Sequence, residues 1–391
     1  MKICDLTQFY SPLSGGVKRY VHEKIAFIEQ HSPEDEHVLI VPGARTERIM
    51  DGRSRVYSIH SPLLSRRSRY RALLNLRAVG EILERERPDI IESSDPYQIA
   101  WKSIASGAAL RVPVVGFYHS HFPETYLRSA ARYLGRRATG GVMHCAQRYV
   151  RKLYNRFAAT LVPSEPLAEV LTDWGVANVR LVRLGVNTDV FKVEPDDRRA
   201  TRAATGVGHD QRLLLYVGRL SADKNTQTLF DAFDLLEQRR PREFHLLVVG
   251  DGAQRGGLLA LQRRGASVSW IPYCTDSLEL ARYYRAADLF VHPGVHETFG
   301  LVAVESQACG TPVIGIRGSA MDRVILHGQE AWARENSADA LAGAIERFTL
   351  ETPALSRAEL SDLSSRRYSW TRVFEQLFCI YREVLAQYPT T

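Results

Sequence analysis

The sequence predicts an α/β protein made of two doubly wound, Rossmann-like domains. Short β-branched runs alternate with helical patterns along all 391 residues, a length that exceeds one compact core. Several of the strand-like runs are apolar on both faces, as is typical of parallel strands covered by helices on each side. The alternation stops once at a polar stretch and then restarts, so it indicates two units of similar size.

The predicted strands come in two groups, which are separated by a polar, turn-rich candidate linker at 187–211. The first group covers residues 2–7, 37–43, 89–94, 112–119, 159–164 and 179–186. The second group covers residues 213–220, 244–252, 268–273, 288–294 and 311–316. Apolar residues at helical spacing predict one amphipathic helix over 369–388. We therefore expect an N-terminal domain over 1–190, a second domain over 191–368 and a C-terminal helix in 369–391.

Composition places the chain among ordinary globular proteins, with 45% apolar and 24% charged residues. No apolar run approaches the roughly 20 residues that span a bilayer, and the N-terminus has no secretory pattern. The five cysteines are scattered and form no C-x-x-C pair, which argues against a disulfide framework or a zinc site. These features predict a cytoplasmic protein with reduced thiols.

The segment 296–305, HETFGLVAVE, carries two carboxylates eight positions apart. A strand ends just before it, and a helix is predicted to begin near Gly300. The free N–H groups at a helix start suit an anion, and glycine lets a ligand approach the backbone. Glu297 and Glu305 could accept hydrogen bonds from the vicinal hydroxyls of a sugar or ribose. Spacing alone fits equally well a structural alternative, in which one acid caps the helix and the other is a surface acid.

Residues 287–315, which include this segment, closely resemble the E-x7-E region of the retaining GT-B glycosyltransferases of family 4. Other landmarks of that family occur in the same order along nearly the whole chain. They are a glycine loop at 10–21, segments at 161–171 and 181–191, a G-R-L-x-x-x-K element at 216–225, a strand and loop at 248–252 and a closing helix at 368–377. The resemblance implies a GT-B fold whose last helix packs on the first domain, and transfer of a hexosyl group from a nucleoside-diphosphate sugar.

The resemblance also implies roles in the second domain. Arg219 and Lys224 would hold the donor diphosphate, where charge-assisted contacts stabilise the leaving group. Glu305 would accept from the ribose hydroxyls and Glu297 would face the transferred sugar. A solvated Arg and Lys in a turn is the structural alternative. The remaining donor-binding residues that the resemblance implies are Thr298, Phe299, Gly300 and Leu301.

In the first domain, the family pattern points to a glycine pair and a histidine. Gly15 and Gly16 would let their loop close over the diphosphate and the acceptor. His119, at a strand end, matches the family histidine near the anomeric carbon, and His121 is the alternative. The cations beside the glycine pair are Lys18 and Arg19.

The expected mechanism needs no metal or cofactor, because no convincing D-x-D motif stands at a strand end. Paired carboxylates about 5–10 Å apart could instead indicate a hydrolase, but in the family both acids hold the donor. The resemblance implies front-face displacement with retention, in which the leaving phosphate helps to deprotonate the acceptor. The protein would supply orientation and water exclusion.

Positive charge is concentrated in the first half of a chain with net charge +7. Residues 125–164 contain no Asp or Glu, and a second basic run lies at 65–71. The basic segment (residues 126–157) interleaves Arg and Lys with aromatic residues and predicts two helices broken at 139–141. Such helices can lie on anionic membranes. We therefore expect a lipid or lipid-linked glycan acceptor and peripheral membrane attachment, with a solvated surface as the alternative and no nucleic-acid motif.

Two other functions are compatible with Rossmann-like halves. An NAD(P)-dependent oxidoreductase requires G-x-G-x-x-G at a helix start, and the nearest stretch, 250–257, has the wrong spacing. A non-catalytic binding protein on a GT-B scaffold would have lost Arg219, Lys224 or the paired acids. The chain departs from the family pattern near Asp322 and in ESQACG. The sequence leaves open UDP or GDP, the hexose, the acceptor and the oligomeric state.

Overall fold

The computed structural model describes residues 1–10, 15–64, 69–119, 121–123, 136–194, 198–318, 320–350 and 355–388. For residues 136–139 and 320 it describes the backbone alone. The chain forms two compact units. The first comprises Met1–Leu184 with Trp370–Thr391, and the second comprises Gly185–Ser369.

An eight-stranded sheet forms the centre of the first unit. Its strands are β1 (Lys2–Leu6), β2 (Glu36–Gly43), β3 (Glu47–Asp51), β4 (Ser54–His60), β5 (Ile90–Ser93), β6 (Val114–Phe117), β7 (Ala159–Val162) and β8 (Val179–Leu181). They lie in the order β3-β4-β2-β1-β5-β6-β7-β8, and every neighbouring pair is parallel except β3 and β4.

The second unit is built on a five-stranded parallel sheet. Its strands are β9 (Arg212–Val217), β10 (Phe244–Val249), β11 (Val268–Ile271), β12 (Leu289–His292) and β13 (Val313–Gly315). They lie in the order β11-β10-β9-β12-β13. Apart from the β3–β4 hairpin, the strand order of each sheet changes direction once, between β1 and β5 and between β9 and β12. Ligands of doubly wound proteins bind at the carboxyl ends of the strands beside such a switch point.

Helices alternate with the strands, as the sequence predicts. They are α1 (Gly16–His31), α2 (Leu76–Glu86), α3 (Gln98–Leu110), α4 (Arg136–Tyr154), α5 (Glu165–Asp173), α6 (Arg198–Ala204), α7 (Thr226–Arg239), α8 (Arg255–Arg263), α9 (Ser277–Ala286), α10 (Leu301–Ala308), α11 (Ala338–Leu350), α12 (Arg357–Tyr368) and α13 (Trp370–Gln387). The α/β class and the two largely parallel sheets are confirmed.

The C-terminal helix α13 belongs to the first unit because its apolar face packs on α1. Phe27 of α1 contacts Phe374 and Phe378 of α13, with ring centroids 5.5 and 5.3 Å apart. Aromatic rings at such distances stabilise a contact beyond their area burial. The prediction that the last helix returns to the first domain is confirmed.

A fully buried charge cluster ties α1, α13 and two strands together. The Nζ atom of Lys24 lies 2.9 Å from Oδ1 of Asp5 and 3.2 Å from Oε1 of Glu92, and it donates to the Tyr381 hydroxyl at 3.1 Å. Burial opposes ionisation of Asp5, but Lys24 and His37 hold the pKa of that carboxyl down, at about 2. We call Lys24, Asp5, Glu92 and Tyr381 the charge cluster.

Part of the basic segment departs from expectation. The predicted helix break at 139–141 is wrong, because α4 runs without interruption from Arg136 to Tyr154. Gly140 and Gly141 are exposed, and interior glycines cost a helix only about 1 kcal/mol each. Residues 126–135 lie outside the described residues. No helix that the structure describes is both long and apolar enough to span a bilayer.

Two other segments differ from the predicted elements. The sequence pattern missed β3 and β4, because all five residues of β3 are exposed and supply no alternation of buried and exposed positions. The predicted linker at 187–211 contains α6, which packs in the second unit. Arg202 of α6 forms an ion pair with Asp288 at 2.9 Å. The polar residues of this segment therefore include ones that form ion pairs within the folded unit. The strand predicted over 179–186 ends at Leu181.

Candidate functional site

The loops that follow β9 and β12 meet at the switch point of the second sheet. Asn225 joins them, since its Nδ2 atom donates to the carbonyl of Pro293 at 2.9 Å and to the Asn336 side chain at 2.7 Å. Asn225 itself has a left-handed backbone, with φ of +56°, a conformation that asparagine tolerates. The bridge fixes the two loops that carry the predicted donor-binding residues.

An ion pair forms the centre of this site. Nζ of Lys224 lies 2.5 Å from Oε2 of Glu297, and Nε2 of His292 lies 3.6 Å from the same oxygen. Burial raises the pKa of Glu297, but Lys224 and His292 outweigh it and lower that pKa to about 2. Glu297 is therefore a carboxylate at neutral pH and acts as an acceptor of hydrogen bonds.

The start of helix α10 lies four residues after Glu297 and can offer backbone N–H groups to an anion. Gly300 precedes the helix with φ of +85°, and in the part of the chain that the structure describes no side chain caps this helix. The first intrahelical bonds run from Ala303 and Val304 to the Gly300 carbonyl, so the N–H groups of Leu301 and Val302 make none. These two donors and the positive end of the helix dipole suit a phosphate group.

Two features favour glycine at position 300. Its positive φ disfavours any residue with a Cβ atom. A Cβ placed there would also lie 1.9 Å from Sδ of Met321, well inside contact distance. Phe299 beside it is 1% exposed and packs edge-on against Tyr368 at 5.8 Å. Phe299 therefore anchors the loop through its ring, and only its backbone can face a ligand.

The loop that follows β9 packs through its backbone against the loop that follows β10. A Cβ on Gly250 would lie 1.9 Å from the Gly218 carbonyl oxygen, and one on Gly252 would lie 2.1 Å from that of Leu220. The N–H of Leu220 also donates to the Asp251 carbonyl at 3.1 Å. The glycines of VVGDG thus let two loops touch through their backbones, which sets the position of Arg219 and Lys224.

Some of the predicted donor-binding residues contact one another in the structure, and others have different partners. Lys224 contacts Glu297, whereas Arg219 has an exposed side chain and its carbonyl accepts from the Tyr216 hydroxyl at 3.0 Å. Glu305 lies in α10, is 2% exposed and accepts from the Tyr284 hydroxyl at 3.0 Å. Thr298 and Leu301 are half-buried. The individual roles of these residues stay predictions.

Histidine 119 lies at the carboxyl end of β6 in the first unit. Its ring stacks on Phe117 at 3.8 Å and meets Tyr20 at 5.2 Å, and its Nε2 atom lies 3.2 Å from Oγ of Ser94. Burial and, to a smaller extent, the Lys24 charge lower the pKa of His119 to about 3. The imidazole is therefore neutral at physiological pH and suits hydrogen bonding. His121 bonds the Tyr118 hydroxyl at 3.1 Å.

The glycine pair of the first unit stands at the start of α1. Gly15 precedes the helix, Gly16 is its first residue, and both are exposed. A Cβ on Gly15 would meet no atom of the described residues within 4 Å, so packing against them does not require glycine there. Lys18 and Arg19 lie half-buried in the first turn. Residues 11–14 of the same loop lie outside the described residues.

We expect His119 to make the first unit less stable in acid. The folded protein holds its pKa near 3, whereas an unfolded histidine titrates near 6.5, so unfolding takes up a proton between these values. This contribution to stability is present above pH 6.5 and is lost as the pH falls towards 3. Urea titrations of His119→Gln should show a slope of unfolding free energy with pH that is smaller by up to about 1.4 kcal/mol per unit. An unchanged slope between pH 4 and 6 would contradict the buried, neutral imidazole.

Sequence reasoning missed three residues that complete these sites: His292, Asn225 and Ser94. His292 is the last residue of β12 and Ser94 follows the end of β5, so both occupy the ligand-binding edges of their sheets. A search for polar residues at predicted strand ends would have found them. Asn225 could not be found that way, because its bond to Pro293 depends on tertiary structure.

Comparison with known families accounts for both units. The profile described as glycosyltransferase family 4 matches residues 14–190, and that of glycosyl transferases group 1 matches residues 197–362. A GDP-mannose-dependent alpha-(1-6)-phosphatidylinositol dimannoside mannosyltransferase of Mycobacterium tuberculosis is 32% identical over 379 residues. The alignment covers 95% of this chain and 93% of that protein.

Solved structures share the fold at low sequence identity. HepE of Anabaena in complex with UDP superposes with a TM-score of 0.74 at 18% identity, covering 98% of this chain and all of HepE. Sucrose-phosphate synthase of Thermosynechococcus elongatus superposes with a TM-score of 0.72 at 22% identity, covering 98% of this chain and 99% of that protein. The predicted GT-B fold is confirmed.

Proposed function

Because the chain belongs to the group 1 glycosyltransferases of family 4, we propose that it is a retaining, metal-independent hexosyltransferase with a lipid-borne acceptor. It uses a nucleotide sugar, and GDP-mannose is the first candidate because the mycobacterial relative is named for that donor. The observation that carries the proposal is the Lys224–Glu297 pair beside the open start of α10. These groups offer a cation, an anion and free N–H groups at the switch point of one sheet.

Each group in this site matches a part of a nucleotide sugar. The Lys224 ammonium, the exposed Arg219 and the N–H groups of Leu301 and Val302 can neutralise a diphosphate. The Glu297 carboxylate can accept from a sugar hydroxyl while it holds Lys224 in place. This arrangement supports a reaction in which the bond from the anomeric carbon to the phosphate oxygen breaks and positive groups stabilise the departing diphosphate.

The acceptor hydroxyl must lose its proton as it bonds to the anomeric carbon. We assign that proton to the leaving phosphate oxygen, because the Glu297 carboxylate has a pKa of about 2 and His119 one of about 3. Both groups are too acidic in their protonated forms to act as effective bases near neutral pH. Delivery to the phosphate places nucleophile and leaving group on one face of the sugar, which gives retention.

A screen of donors tests the proposal. GDP-mannose, UDP-glucose, UDP-galactose and ADP-glucose are supplied with octyl glycoside acceptors, and release of nucleoside diphosphate is measured with and without EDTA. One donor should be turned over, at a rate that EDTA leaves unchanged, and its nucleotide should raise the thermal midpoint. Turnover abolished by EDTA would refute metal independence. The absence of turnover with every donor would favour a non-catalytic binding protein.

The basic segment supports a lipid-borne acceptor. Arg148, Arg151 and Lys152 of α4 and Arg156 after it are exposed, and Lys152 stands 5.9 Å from the centre of the Trp101 ring. The carboxyl-terminal half of the helix is fixed to the core by Val150 and Leu153, both 0% exposed. A helix that is anchored in this way and presents cations suits the headgroups of an anionic bilayer.

We expect the double variant Arg148→Glu/Lys152→Glu to bind anionic vesicles at least thirtyfold more weakly. The loss of two attractive charges, each worth about 1 kcal/mol, already removes about 2 kcal/mol. Sedimentation with phosphatidylglycerol vesicles at about 0.15 M salt measures the effect. The matched control is Arg199→Glu/Arg263→Glu, which makes the same charge change at exposed positions of the second unit. Equal binding by both variants would refute a membrane role for α4.

A further inference from the structure

Four aromatic rings form a continuous row in the first unit. Tyr70 lies 6.1 Å from Phe9, Phe9 lies 5.8 Å from Tyr97, and Tyr97 lies 6.2 Å from Phe122, measured between ring centroids. Their planes meet at steep angles, from 56 to 89°. We call these four residues the aromatic row.

Sheet topology explains why the rings line up. Tyr70, Phe9, Tyr97 and Phe122 follow the carboxyl ends of β4, β1, β5 and β6 respectively. These strands lie in that order in the sheet, with only β2 between β4 and β1. Neighbouring strands lie about 4.8 Å apart, so residues a few positions beyond the ends of β1, β5 and β6 emerge side by side. Tyr70 comes ten residues after β4 and joins the row through its contact with Phe9. The row thus crosses the switch point between β1 and β5, where doubly wound sheets bind ligands.

The row forms a surface layer above a buried one. All four of its rings are half-buried, whereas Tyr118 and Tyr154 are only 1% and 2% exposed. Tyr118 contacts both Phe122 at 5.9 Å and Tyr154 at 5.1 Å. A deeper set of aromatic side chains therefore already closes the core, and the outer rings remain partly open to solvent.

Two further half-buried rings are linked to the aromatic row through the buried layer. His121 lies 5.2 Å from Trp174, which follows α5, and is joined to the row through Tyr118 and Phe122. Both His121 and Trp174 are half-buried.

Polar groups lie along the aromatic row. The N–H of Gln8, next to Phe9, donates to Oδ2 of Asp95 at 2.6 Å, and the Gln8 side chain accepts from Gln98 at 3.1 Å. Asp95 is 1% exposed, and among the described residues its other oxygen has no hydrogen-bond partner. Burial raises the pKa of Asp95 to about 7. The bond to Gln8 fixes the turn on which Phe9 stands.

The chemistry of this surface suits a sugar better than an acyl chain. An acyl chain gains only from apolar contact and makes no use of the polar tips of phenol and indole groups. A hexose presents an apolar C–H face and a ring of hydroxyls, and it needs both aromatic faces and polar tips. Tyr70, Tyr97 and Trp174 combine the two in one side chain.

We propose that the aromatic row binds the sugar rings of an acceptor that is already glycosylated. This assignment rests on the proposed function, because it concerns the acceptor of the same transfer. The enzyme then extends an existing glycan: the sugars that precede the reacting hydroxyl lie along the row, and the number of those sugars determines acceptor affinity.

Binding of octyl glycosides that carry one, two or three α-linked hexoses tests the proposal. Mannose and glucose series are titrated calorimetrically into the wild type, Tyr97→Leu and Tyr70→Leu, so no transfer is needed. For at least one series, wild-type affinity should rise at least fivefold from one hexose to three. The leucine variants should lose most of that increase while their affinity for the monohexoside stays within twofold. The control is Tyr273→Leu, a tyrosine of the second unit that is 62% exposed.

Three outcomes of the binding experiment would overturn the proposal. They are equal affinity for one and three hexoses in both series, an increase that survives in both folded leucine variants, or an increase that follows alkyl chain length instead of sugar number. Thermal midpoints establish folding, and Tyr70→Leu serves if Tyr97→Leu unfolds. If transfer does not depend on the number of sugars in the acceptor, the proposed role of the aromatic row is refuted and the proposed function stands. If the sugars bind along the row but no donor supports transfer, the proposed function is refuted and the role of the aromatic row stands.

Discussion

Replacement of Lys224 by alanine is expected to lower kcat for hexosyl transfer by two to three orders of magnitude. The ammonium lies 2.5 Å from Glu297, at the point where the loops after β9 and β12 meet the start of α10. Negative charge grows on the departing diphosphate as the glycosidic bond breaks. Loss of one positioned donor to such charge costs about 10²- to 10³-fold in kcat. Because the interaction strengthens in the transition state, kcat should fall more than donor affinity.

Two controls separate this effect from damage to the fold. Lys224→Ala alone leaves the Glu297 carboxylate without its nearest cation, which can lower stability. Lys224→Ala/Glu297→Gln removes both charges, and it should recover stability while transfer stays low. Lys192→Ala, at an exposed lysine of the same unit, should retain wild-type activity. A kcat for Lys224→Ala within tenfold of the wild type would contradict the diphosphate role.

Replacement of Lys24 by methionine is expected to destabilise the first unit by about 3–5 kcal/mol. The ammonium is 0% exposed and is the shared partner of Asp5 and Glu92, which are each 1% exposed. Removal of one member of a buried ion pair leaves an uncompensated charge, and that is the costly outcome. Urea unfolding of the first unit measures the change in its free energy of unfolding.

A triple variant tests whether charge is the cause. Lys24→Met/Asp5→Asn/Glu92→Gln keeps the side-chain shapes close to the original ones and removes the buried charges together. It should regain much of the lost stability, since buried ion pairs can be replaced by neutral groups at little cost. If Lys24→Met lowers the unfolding free energy by less than about 1 kcal/mol, the charge cluster does not hold α13 to the first unit as we describe.

Sequence patterns predicted the helices and strands that have a regular apolar pattern. They missed the elements whose position depends on contacts with residues distant in sequence. All strands except β3 and β4 were found, because buried parallel strands are typically apolar on both faces. The helix over 301–308 was found because glycines flank it, and both Gly300 and Gly310 have positive φ. The β3–β4 hairpin was missed because β3 has no buried face, and α6 was taken for linker because its arginines face Asp288 across the fold.

The site was predictable in its composition but not in its connections. The acids and cations of the second unit were named from an ordered set of motifs. That Lys224 and Glu297 pair with each other follows only from the meeting of two loops 73 residues apart in sequence. Likewise, the aromatic row has no periodic signature, because its members come from four separate strand ends. Sheet order brings them together, and one-dimensional spacing does not encode that order.

The anomeric configuration of the first product tests the central claim most directly. The reaction of the cognate α-linked nucleotide sugar with an octyl glycoside is followed by proton NMR from its first turnovers, before any rearrangement of the product. Transfer with retention at the Lys224–Glu297 site predicts an α-linked product and one nucleoside diphosphate per bond formed, both lost in Lys224→Ala/Glu297→Gln. A β-linked product, or free hexose without a glycoside, would contradict the account.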